Sequence, residues 1–238
     1  MSTEAINEIL SEVTHELEQR EFPTRKAFEA NRALFYKLAP VHGLTPVPES
    51  EAWNRAAFLF TQWRAWKLGP NNGREYPRPK IGLCFYGPCG AGKTALADYT
   101  RKMISDATGV LIRKVQTADI VERYSRGELR DYELRGMYDA DVLVDDLGYE
   151  RDAKLYGAQW GIADFLKFRY ESAYTRFGRF TMATTNLNGV RELEERYGSQ
   201  ISSRCEELFD FVLLEGPDRR KEARKIRESE FESFTNSR

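Results

Sequence analysis

Gly87-Pro88-Cys89-Gly90-Ala91-Gly92-Lys93-Thr94 follows the pattern G-x-x-x-x-G-K-[ST], and its flanks decide how it is read. Residues 81–86 before it are a short apolar run of the kind that parallel sheets bury on both faces. Ala95-Leu96-Ala97-Asp98-Tyr99 after it continue into a helical pattern. In this strand–turn–helix setting the glycines let the backbone fold around phosphate oxygens. Successive N–H groups then point inward at the positive end of the helix. All eight residues are expected to hold a nucleoside triphosphate, with Lys93 reaching the β- and γ-phosphates and the Thr94 hydroxyl binding Mg²⁺. A plain glycine-rich turn that binds nothing would need none of these flanks.

Outward from the loop, apolar runs at residues 110–115, 141–145, 179–183 and 209–214 join 81–86 as strand candidates. Helical patterns lie between them, beginning near Lys93, Ala118, Tyr156 and Val190. Such alternation is how a parallel sheet covered on both faces reads, so an α/β fold with five strands is expected. Toward the N-terminus, residues 3–20 put Ile6, Ile9, Leu10, Val13 and Leu17 on one helical stripe. Pro23 can open a second helix carrying Ala27, Ala30, Leu34, Phe35 and Leu38, which Pro40 stops. Residues 41–50 hold Gly43, Pro46 and Pro48 and look like a linker. A third helix, 51–68, carries Trp53, Ala56, Phe60, Trp63 and Trp66, and a loop follows through Lys80. Two units are expected: a helical N-terminal partner-binding module with linker, 1–48, and a nucleotide-binding domain, 49–238. The stripes of the module face each other, the main domain or a partner.

Asp141-Val142-Leu143-Val144-Asp145-Asp146-Leu147-Gly148 is a buried-type strand ending in two carboxylates. Buried charge without a partner is costly, and Mg²⁺ would supply the partner. Asp145 would hold the metal through its water shell, and Asp146 would polarise an attacking water. The plainer alternative is a pair of solvated turn aspartates. After the fourth strand, Thr184-Thr185-Asn186-Leu187 places an amide where Asn186 could touch both the γ-phosphate and the water, although Asn before a turn is also ordinary turn chemistry.

Composition narrows the setting. The 36 basic and 37 acidic side chains nearly cancel, which excludes a strongly basic nucleic-acid coat but not a local basic stripe. An apolar fraction of 41% suffices for a core and excludes a disordered chain. No apolar run nears the roughly 18 residues of a membrane span, and no hydrophobic signal core opens the chain. Cys84, Cys89 and Cys205 are odd in number and widely spaced, which suits a reducing cytosol. His15 and His42 are too few for a His/Cys metal cluster. A cytoplasmic protein with no membrane partner is expected.

Taken in order, the phosphate loop, Asp145-Asp146, Asn186 and the later Arg204 resemble an AAA+ ATPase. More narrowly, the chain resembles the DnaC/IstB group, which contains replicative-helicase loaders and the ATPase subunits of insertion-sequence transposition. The narrower likeness rests on Tyr197-Gly198-Ser199-Gln200-Ile201-Ser202-Ser203-Arg204 and Glu215-Gly216-Pro217-Asp218-Arg219-Arg220, within a match over residues 81–220. It implies a P-loop NTPase of AAA+ type with no separate C-terminal lid domain, and ATP with Mg²⁺ as cofactors. It implies that Arg204 is a trans-acting finger reaching the γ-phosphate of a neighbouring subunit, where fixed positive charge stabilises the phosphoryl transition state. Catalytic roles then fall to Lys93, Asp146, Asn186 and Arg204. Arg219 or Arg220 matches the sensor-II arginine of the same subunit, with Arg220 favoured. Many AAA+ proteins carry Glu where this chain has Asp146, and the shorter reach points to slow hydrolysis.

The resemblance also implies DNA, single-stranded by preference, along the axis of a homo-oligomeric ring or spiral. Residues 118–137 would supply the contact, through Arg123, Tyr124, Arg126, Arg130 and Arg135. Interleaved Asp119, Glu122, Glu128, Asp131 and Glu133 fit a solvated helix equally well. Trp63, Arg64, Trp66, Lys67, Arg74, Tyr76, Arg78 and Lys80 form a second basic–aromatic stretch, whose tryptophans read as core more than as a stacking platform. The leading expectation is an ATP-dependent loader of a replicative DNA helicase; the alternative is an IstB-like regulator whose client is a transposase. A small-molecule P-loop kinase would leave Arg204 with no neighbour to serve. A non-hydrolysing ATP-gated binding module is the remaining option, through Asp146.

Overall fold

Val142, Leu143 and Val144 are wholly buried at the middle of one strand, and their alternating side chains divide the molecule into two layers. The computed structural model describes residues 25–69, 76–126, 140–150, 153–155, 158–173 and 178–219, with 221, 224–225 and 227–229. Helix α1 (Arg25–Leu38) runs into a 3-10 turn (Ala39–His42), and α2 (Glu51–Leu68) comes next. Strand β1 (Gly82–Tyr86) leads to α3 (Lys93–Thr108), β2 (Ile112–Gln116), α4 (Thr117–Ser125) and β3 (Asp141–Leu147). A hairpin of β4 (Ala153–Leu155) and β5 (Ala158–Trp160) precedes α5 (Ile162–Ala173) and β6 (Thr181–Thr185). Helices α6 (Val190–Tyr197) and α7 (Ser199–Leu208) then lead to β7 (Phe209–Leu213).

The main sheet has the order β2-β3-β6-β1-β7, and every pairing in it is parallel. The period of two sorts its side chains. Leu83, Phe85, Leu143 and Met182 face α1, α2 and α3, whereas Cys84, Val142, Val144 and Ala183 face α5, α6 and α7. All five expected strands form, within two residues of their expected ends. Among the described residues no helix is long and apolar enough to cross a membrane.

The expected second helix is built into this core. Leu34, Phe35 and Leu38 of α1 join Trp53, Phe60 and Trp63 of α2 and Tyr99 of α3 in one apolar cluster with β1. Phe35 is fully buried, its ring centroid 4.7 Å from that of Tyr99, and its carbonyl accepts the Tyr99 hydroxyl. Helix α2 lies between α1 and α3, which is why its apolar residues surround it instead of forming one stripe. Phe35→Ala should lower the unfolding free energy by about 3–5 kcal/mol, the usual cost of emptying a buried phenylalanine site. Denaturant titration checks this; a loss under about 1 kcal/mol would mean that α1 is not integral to the domain.

The structure differs from expectation at two places. The helix expected near Tyr156 begins at Ile162, because the short period-two runs before it pair as the antiparallel β4–β5 hairpin, Ala153 opposite Trp160. The helix from Val190 is broken at Gly198 (φ 85°), where α7 starts. The tryptophans of the basic–aromatic stretch lie inward, as expected: Trp63 is buried and Trp66 partly so, and Arg64 donates to Asn31 Oδ1 at 2.8 Å. Arg78 lies over the rings of Trp63 and Trp66 and pairs with Asp141. The helix at residues 3–20, together with Arg74, Arg130 and Arg135, lies outside the described residues, as does the side chain of Tyr124.

Candidate functional site

The carboxyl ends of β1, β3 and β6 lie side by side, so the segments leaving these three strands converge. From β1 comes the phosphate loop. Gly90 has φ 82°, and a Cβ there would stand 2.0 Å from Asp218 Oδ1, so the turn requires glycine. Gly92 caps α3 without a side-chain hydrogen bond, leaving the first N–H groups of α3 for an anion. Lys93 is buried, and its ammonium donates to Gly87 O at 2.8 Å and Pro88 O at 2.9 Å. Ala91 packs into the core beneath the loop.

The end of β3 supplies both aspartates by means of an irregularity. Val144 pairs with Ala183 but Leu147 with Thr185, so β3 spends one residue more than β6 over this stretch. Adjacent residues of a regular strand point to opposite faces; the bulge re-aims one of them. Asp146 takes φ 58°, the only positive value at a non-glycine residue among those described. Aspartate tolerates this conformation better than most residues. Both carboxylates are thereby brought to the same place. Asp145, 1% exposed, accepts on Oδ1 from the hydroxyls of Thr94 (2.9 Å) and Thr184 (2.7 Å), and its Oδ2 pairs with Lys114 Nζ at 2.9 Å. The Asp146 N–H donates to Thr184 Oγ1 at 3.0 Å, and its carbonyl accepts from Thr117 Oγ1 at 3.0 Å. Its side chain accepts from Asn186 Nδ2 at 3.4 Å.

These groups surround a cleft of about 860 Å³ lined by Cys89, Gly90, Gly92, Lys93, Thr94, Asp146, Asn186 and Arg219, among others. The Arg219 N–H donates to Gly90 O at 3.1 Å, and its side chain lies beside Gly92. Arg220 lies outside the described residues. Lys93, Lys114 and Arg219 bring three cations to the cleft, alongside the carboxylates of Asp98 and Asp146. Asp98 also lines it: burial opposes its ionisation, but Arg101 and Lys102 outweigh that and hold it below the usual carboxylate range. A second cleft of about 610 Å³, walled by Phe28, Phe58, Pro77 and Ile81, lies away from this chemistry.

The oxygens of Thr94 and Asp145 fit Mg²⁺, which prefers oxygen donors and keeps its other ligands as phosphate and water. Among the described residues no group of three or more His, Cys, Asp or Glu could cage a metal, so an ion here would depend on a bound phosphate. Arg204 does not line the cleft. It sits half-buried on α7 with its guanidinium 5.6 Å from the ring centre of Tyr170.

Several participants carry no motif. Gly43, Leu44, Lys114 and Tyr149 line the cleft, and the Thr117 and Thr184 hydroxyls fix the aspartates. Lys114 on a sheet-edge strand reads as a solvated side chain until its pairing with β3 is known. Thr184, polar at the end of an apolar strand, is the one sign of them that the sequence carries.

No protein-family model matches the chain, and no curated protein matches it by sequence. Solved structures do match. The chain is similar to the DnaC helicase loader (TM-score 0.52, 23% identity, 71% of this chain and 94% of that one). It is similar to DnaI (TM-score 0.58, 17% identity, 83% and 94%) and to a DNA replication initiation factor (TM-score 0.51, 16% identity, 79% and 54%). At these identities the likeness shows the fold alone, a five-stranded parallel sheet flanked by helices.

Proposed function

We propose that the cleft binds ATP with Mg²⁺ and hydrolyses it slowly, and that the chain is a DNA-associated AAA+ protein that loads a replicative helicase. The observation that carries this reading is the convergence of Lys93, Thr94, Asp145, Asp146 and Asn186 at the ends of three adjacent parallel strands. Thr94 and Asp145 would hold the metal, which when bound would supply charge neutralisation to the phosphates. Asp146, oriented by Asn186, takes up a water and accepts its proton as the water oxygen bonds to the γ-phosphorus, while the bond from the γ-phosphorus to the β–γ bridging oxygen breaks and ADP leaves with that oxygen. Lys93 and Arg219 hold the phosphate oxygens within the subunit. Arg204, being outside its own cleft, completes the site of a neighbour in a ring or spiral.

The loader role is supported by the fold shared with DnaC and DnaI, and the residues ahead of α1 are the proposed contact with the client. The test uses the full-length protein with ATP and a purified replicative helicase in size-exclusion chromatography. Co-elution in ATP and its loss on deleting residues 1–24 are expected. Binding to a transposase instead would assign the chain to the IstB-like alternative. Turnover that rises several-fold with single-stranded DNA would support the strand preference.

A further inference from the structure

Glu150 is buried in the interior, 5% exposed, four residues beyond Asp146 and outside the cleft. An unpartnered carboxylate there would be costly, and this one is fully engaged. Its Oε2 accepts the Gly148 N–H at 2.9 Å, its Oε1 accepts the Tyr197 hydroxyl, and Arg196 stands 3.8 Å away. Arg196 also donates to the Glu150 backbone carbonyl. Burial and the Glu150 charge raise the Tyr197 phenol above its ordinary range, so it stays a donor.

This carboxylate grips the turn that carries Asp146. The Tyr149 N–H donates to Asp146 O at 3.2 Å, and Gly148, whose N–H Glu150 holds, lies inside that turn. Thr184 and Thr117 fix the Asp146 peptide on the sheet side. On the far side of the turn, where a left-handed Asp146 would otherwise relax, the hold comes from Glu150. We propose that Glu150, clamped by Tyr197 and Arg196 at the end of α6, is a positioning residue that holds Asp146 in its bulged conformation and so sets the direction of the attacking water. This deepens the hydrolytic reading of the cleft and rests on it.

The test compares full-length wild type with Tyr197→Phe, which removes only the hydroxyl, and with Glu150→Gln, which turns one acceptor into a donor. Binding of a fluorescent ATP analogue should stay within about twofold. The kcat should fall about 10–100-fold, the loss expected when a reacting group is misplaced by about an ångström. A folded Tyr197→Phe protein with wild-type kcat would overturn the proposal. So would a loss of nucleotide affinity in step with kcat, because that marks general damage to the cleft. A wild type that binds ATP and never hydrolyses it would instead refute the hydrolytic reading, and the proposal with it.

Discussion

Lys93→Ala is expected to reduce ATP hydrolysis to background and to weaken nucleotide binding at least tenfold. A charge-assisted hydrogen bond to phosphate is worth about 1.5–3 kcal/mol, which corresponds to roughly 10–150-fold in affinity. On the proposed hydrolytic reading the ammonium also meets the charge spread over the phosphoryl oxygens in the transition state, so turnover should fall further than affinity. Without nucleotide the same ammonium bridges the carbonyls of Gly87 and Pro88, and the variant also loses that internal brace. Thermal melting of the nucleotide-free protein separates the two effects. Phosphate release and titration with a fluorescent analogue measure the rest, and survival of both activities would refute the assignment of this loop.

Arg204→Ala should behave in the opposite way. Arg204 lines no part of its own subunit's cleft, so nucleotide affinity should change less than twofold. If it serves a neighbour, kcat of the oligomer should fall by about 10³–10⁵-fold, the range for arginine fingers in phosphoryl transfer. Mixing supplies a sharper readout than either variant alone. Lys93→Ala subunits have no working cleft but still carry Arg204, whereas Arg204→Ala subunits have the cleft and lack the finger. Combining two inactive proteins should therefore restore part of the turnover. If the mixture stays dead, or if Arg204→Ala keeps full activity, the arginine does not act across an interface.

Local chemistry was legible in the sequence, and long-range geometry was not. The phosphate loop announces itself because glycine, lysine and threonine are each required at fixed spacing by the atoms they must approach. Strands such as Val142-Leu143-Val144 are legible because burial on both faces permits only apolar residues. The β3 bulge left no trace, since Asp145-Asp146 would read the same in a regular strand, and it is the pairing with β6 that exposes the extra residue. Lys114 and Glu150 were equally silent. Each is an ordinary charged residue whose role depends on a partner tens of positions away, as with Glu150 and Tyr197. The break at Gly198 could have been noticed from the glycine, but one glycine in a polar helical pattern does not say whether the helix stops there.

The seating of Phe35 against Tyr99 bears on how any deletion series must be cut. A protein trimmed to begin at residue 49 would open the apolar face of α2 to water and strip the Tyr99 hydroxyl of its acceptor. Since α3 starts at the phosphate loop, the injury would surface as weakened nucleotide handling and be mistaken for a lost client contact. Mapping by truncation has to halt ahead of Arg25.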